Sequence, residues 1–77
     1  MIVISPAQCR AARALLDCTR EQLAEMSGVP VRTLADFETG ATTPRAGTLQ
    51  KLSDAFSREG IALISVNGAP AGVTLTR

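Results

Sequence analysis

The sequence predicts a mainly α domain in which four short helices precede a pair of β-strands. Three observations lead to that class. Two helix-start signals, Ser5-Pro6 and Thr19 with Gln22, stand early in the chain. Gly28 and Gly40 close the second and third apolar-periodic segments. After Gly60 the hydrophobic period changes from helical to alternating.

Each element has its own local cause. Ser5 suits an N-cap and Pro6 the first helical position, so a first helix is expected over about residues 6–17, with Cys9, Ala12, Leu15 and Leu16 as its apolar face. Thr19 and Gln22 form a capping box, which starts a second helix over about residues 20–27 that buries Leu23 and Ala24. Gly28 ends it, being free to take positive φ. A third helix over about residues 31–39 buries Leu34 and Phe37, and Pro30 just before it loses nothing by lacking an N–H. The loop Ala41-Thr42-Thr43-Pro44 leads to a fourth helix over about residues 46–59, with Leu49, Leu52, Ala55 and Phe56 as its core stripe.

In the tail, IALISV reads as a strand, NGAPAG as a loop and GVTLTR as a second strand. The apolar opening, Met1 to Ile4, is a candidate third strand. An isolated hairpin is marginal in water, so the strands need a packing partner, either in the same chain or in a second copy.

Composition removes several function classes. The 77 residues make one domain, and a chain of this size buries only about 60% of its extended surface, which favours help from a second subunit. There is no His, Trp or Tyr, which leaves no His-based catalytic pair or Cys/His metal cluster to build an enzyme on. No cofactor, metal or small-molecule ligand is expected. Cys9 and Cys18 fit no metal-ligand spacing and read as small apolar filler. Nothing resembles a signal peptide or a membrane span, so a soluble cytoplasmic protein is expected. The net charge is only +1, so any binding to a polyanion should be modest per subunit.

Residues 19–40 carry the most information. Two helices that meet steeply across a short turn need a small residue where they cross, a residue tolerant of positive φ in the turn, and apolar anchors on the second helix. Ala24, Gly28, and Leu34 with Phe37 supply these in order. An ordinary antiparallel helix pair with a glycine cap would use the same residues.

Further residues distinguish the two. QLAEMSGV, RTLADFETG, Pro44 and TLQKLSDAF together resemble the XRE-like family of phage-repressor helix-turn-helix domains, over about residues 5–59. SPAQCRAARALLD at the front and the GI-apolar strand at the back are similar to many small bacterial members. The resemblance implies a lambda-repressor-like fold, with residues 5–59 as DNA-binding core and residues 60–77 as a strand tail. It implies a structural salt bridge between Arg13 and Glu38, which occupy the matching places. It also implies DNA contacts from Arg20 to phosphate, from Val31, Arg32 and Thr33 at the start of the recognition helix, and from Thr39, Thr42, Thr43 and Arg45 in the loop after it. Arg32 suits guanine O6 and N7, and Val31 suits a thymine methyl. Asp36, one turn on, departs from the pattern: it can accept from cytosine N4, but equally suits a solvated face or repels phosphate. Pro30 replaces the polar cap common in the family.

The expected function is therefore a double-stranded DNA-binding transcriptional repressor, a nucleoid-associated homodimer on a palindromic operator. Ile61, Leu63, Ile64, Val66, Val73 and Leu75 are the candidate dimerisation residues. The alternative is a protein-interaction or antiactivator module that kept the scaffold and lost DNA affinity.

Overall fold

The computed structural model describes residues 4–76, and within them the predicted order holds. Four helices, α1 (Pro6–Leu16), α2 (Arg20–Ser27), α3 (Val31–Glu38) and α4 (Ala46–Arg58), precede strands β1 (Ile61–Val66) and β2 (Ala69–Leu75). The predicted capping box at Thr19 forms, and the predicted N-cap Ser5 makes a second one with Gln8: Ser5 Oγ and Thr19 Oγ1 each accept an N–H three residues on, and Gln8 and Gln22 Oε1 accept the N–H of the cap residue. Each box satisfies two N–H groups that the first helical turn leaves unpaired.

The core is drawn from every helix and the first strand. Cys9, Ala12, Leu23, Leu34, Phe37, Leu52, Phe56 and Ile61 are buried, joined by Ile4 and Val29. On α1 the buried stripe runs through Cys9 and Ala12 to the half-buried Leu16, whereas Leu15 is 45% exposed. That corrects the expected face, because adjacent helical residues lie about 100° apart and Leu15 cannot share the inward side with Leu16. At the other end of the core Arg58 Nη2 donates to the Met26 carbonyl at 2.8 Å, tying the end of α4 to the end of α2.

The strands pair antiparallel within the chain, with Ile61 opposite Leu75 and Leu63 opposite Val73. The expected loop NGAPAG shrinks to Asn67 and Gly68, at φ 52° and 79°. Two consecutive positive-φ residues make the turn whose twist matches the flanking strands, and Asn-Gly is the pair that adopts it at least cost. β2 therefore starts at Ala69, before Pro70. The register slips between Ile64 and Ser65, leaving Ala71 without an opposite residue, and this bulge accommodates a proline that donates no ladder bond.

Ile61 is buried, and Leu63, Val73 and Leu75 pack against the core. Of the six candidate dimerisation residues only Ile64 and Val66 are exposed, at 40% and 57%. The candidate N-terminal strand lies, for residues 1–3, outside the described residues, and Ile4 is in no strand. Among the described residues no helix is long and apolar enough to cross a membrane.

Candidate nucleic-acid interface

The turn between α2 and α3 is built as its residues require. Gly28 caps α2 at φ 76°, and Val29 drops into the core at 2% exposure. Pro30 then takes the N-cap of α3 with φ −58° and ψ 144° and makes no side-chain cap bond, so it contributes a fixed backbone angle in place of a hydrogen bond.

α3 has a clear inside and outside. Leu34, Phe37 and Glu38 are buried, whereas Val31 and Arg32 at its start are exposed and Thr33 and Asp36 half-buried. The Arg32 side chain is 90% exposed. Its Nε lies 3.7 Å from Asp36 Oδ2, a loose pair one turn apart on a solvated face. Pairs of this kind contribute a few tenths of a kcal/mol, about 0.3–0.5, so Asp36 restrains Arg32 only weakly.

After α3 the chain folds back on the helix end. Thr39 Oγ1 donates to the Ala35 carbonyl at 3.0 Å, and the backbone N–H groups of Ala41 and Thr42 donate to the Asp36 carbonyl. Thr39, Thr42, Thr43 and Arg45 are all exposed along this loop. Their side chains follow the end of α3, beyond the turn that carries Asp36.

What holds α3 in place is a fully buried carboxylate at its last residue. Arg13 grips Glu38 as a fork, Nε to Oε2 at 2.7 Å and Nη2 to Oε1 at 2.8 Å, in the two-pronged geometry that makes arginine pairs strong. Arg20 Nε donates to Oε1 at 2.9 Å, and the Cys9 thiol donates to Oε2 at 3.2 Å. Burial pushes the Glu38 carboxyl up, but hydrogen bonds from Arg13, Arg20 and Cys9 outweigh it and hold it down at about 2. The same bond to Glu38 raises the Arg13 guanidinium. Burial, then the bond to Glu38, pushes the Cys9 thiol up. Cys9 is thus a donor as well as apolar filler, and it and Cys18 are both free thiols.

Several of these contacts exceed what the residue pattern announced. Arg20 reaches Glu38 with Nε, while its two η nitrogens make no hydrogen bond among the described residues. Arg10 donates from Nη1 to the Glu38 main-chain carbonyl at 2.5 Å. The three-residue spacing of Arg10 and Arg13 on one helix face was the available signal for a shared target. An open cleft of about 580 Å³ beside them brings Arg10, Arg13 and Arg20 together with Asp17 and Glu21, so its charge is mixed.

A helix-turn-helix family model matches residues 10–60, well over half of the chain, from Arg10 to the glycine before β1. The chain belongs to the XRE-like helix-turn-helix family. No curated protein matches the sequence. As an XRE-like helix-turn-helix domain it is a DNA-binding regulator, with α2 and α3 as the helix pair. Among the described residues no group of His, Cys, Asp and Glu is placed to hold a metal ion.

Proposed function

We propose that the protein is a sequence-specific transcriptional repressor that binds a palindromic operator as a homodimer, placing the start of α3 in the major groove. The observation that carries this reading is the asymmetry of α3. Its last residue is locked into the domain through Glu38, and its first turn presents Val31 and Arg32 outward. Arg32, whose side chain is 90% exposed, can form the paired bonds to guanine O6 and N7. Val31 contacts a thymine methyl, and Thr33 and Asp36 flank them on base edges or sugar. Backbone contacts come from the η nitrogens of Arg20 at the start of α2 and from Thr39, Thr42, Thr43 and Arg45 after α3.

Two copies would place two α3 helices in successive major grooves, about one helical turn of DNA apart. Ile64 and Val66 on the hairpin supply the exposed apolar residues for that pairing. Selection of bound sequences from a random DNA pool tests this reading. Enrichment of a two-fold symmetric site with half-sites about 10 bp apart is expected. Recovery of no sequence above background overturns it.

One observation favours the second reading, a protein-interaction module on the same scaffold. Asp36 beside Arg32 lowers the positive charge of the helix face meant for DNA. If charge reversal at Arg20 and Arg32 leaves partner capture intact and changes no DNA contact, that module is the function.

A further inference from the structure

α3 ends against Arg10, a residue to which the DNA-contact pattern gives no role. Every one of the last four carbonyls of α3 is satisfied, and each in its own way. Ala35 O accepts from the Thr39 N–H, Asp36 O from the Ala41 N–H and Phe37 O from the Gly40 N–H. Glu38 O accepts from Arg10 Nη1. Glu38 is 2% exposed, so without that donor its carbonyl would sit at the edge of the core with no hydrogen bond. Arg10 also sets a positive charge at the negative end of the helix dipole.

We propose that Arg10 is a positioning residue for DNA readout: it caps the recognition helix and fixes where the loop at residues 39–45 leaves it. This rests on the proposed DNA-binding function. α1 holds both ends of one residue, Arg13 the Glu38 carboxylate and Arg10 the Glu38 carbonyl. The carboxylate fork fixes the helix in place, whereas the carbonyl bond sets the direction in which the chain continues. The loop that follows carries Thr39, Thr42, Thr43 and Arg45, so its path decides whether α3 and the loop meet groove and backbone at the same time.

The test is Arg10→Met, which keeps the apolar stem and removes the donor and the charge. Arg10 is exposed, and Arg10→Lys serves as a second, charge-retaining variant. Affinity for the selected operator is expected to fall about tenfold while affinity for random DNA and the slope of log K against log salt stay as in the parent. In the free protein, amide exchange of residues 39–42 should quicken and residual dipolar couplings in this loop should change, with partial recovery in Arg10→Lys. An equal loss on all sequences with a salt slope smaller by about 1 would make Arg10 a phosphate contact and overturn the proposal. Unchanged exchange and couplings would also overturn it. These free-protein measurements hold even if the parent protein discriminates no DNA sequence, an outcome that removes the proposed function and not the cap.

Discussion

Gln8 Nε2 donates to the Gly72 carbonyl at 2.8 Å, joining the first turn of α1 to the bulged part of β2 across 64 positions of sequence. The same nitrogen donates to the Ile64 carbonyl on the opposite strand at 3.1 Å. Its Oε1 accepts from the Ser5 N–H, so one buried amide caps a helix and pins a hairpin. Replacing it with Leu keeps most of the volume and leaves two strand carbonyls and one cap N–H without partners. The expected loss is about 2–3 kcal/mol, read by urea unfolding, with hairpin amides exchanging faster than those of α2. Equal protection in both regions would show that the hairpin holds to the helices by apolar packing alone.

Glu38 should dominate the acid limb of stability. Its folded-state pKa is held at about 2, below the ordinary value of 4.5, so between those values the unfolded chain binds more protons. Stability is therefore fully present above about 4.5 and is lost as the pH falls toward 2, by about 2–3 kcal/mol. Glu38→Gln should flatten that limb in thermal melts taken from pH 6 to pH 2. At neutral pH the same variant leaves Arg13 without its buried partner and should be destabilised by about 3–5 kcal/mol.

The pair on the outer face of α3 gives two opposite expectations. Arg32→Ala should lower discrimination at one base pair of the selected site by about 1–3 kcal/mol in competition gel shifts. Asp36→Ala should tighten binding, since it removes a negative charge from the groove side and frees Arg32. A loss of affinity in Asp36→Ala would make the carboxylate an acceptor for cytosine N4.

Pairing of two chains should depend on Val66, which is 57% exposed on a hairpin whose other large apolar residues, apart from Ile64, are covered. Val66→Asp should sediment as a monomer with a melting temperature near that of the parent at equal concentration. A variant that still sediments as a dimer would move the interface off the hairpin.

Helix starts and ends were legible because they depend on neighbours three or four residues away. Ser5, Thr19, Gly28 and the Leu34 and Phe37 anchors do locally what their side chains dictate. The Arg13 and Glu38 pair was legible only through resemblance, since 25 positions separate them and no periodicity links them. The hairpin loop is shorter than its composition suggests, because Pro70 and two small residues read as loop while the Asn67-Gly68 turn and a bulge carry the strand through them. Gln8 and Cys9 as hydrogen-bond donors leave no signal in the sequence. Their partners are main-chain carbonyls or a carboxylate that only tertiary packing brings near, and a carbonyl leaves no mark in sequence.

The anchor of α3 sits at one end and the residues proposed to read DNA, Val31 and Arg32, at the other. Eight residues at about 1.5 Å each make a rigid arm of about 10 Å from Glu38 to Val31. Swinging that arm by about 10° would carry its tip nearly 2 Å, over half the rise of one base pair. On the proposed function, small losses of grip around a single buried residue are thereby magnified into errors of position on the DNA. Mutations that never approach the groove can change which sequence is read.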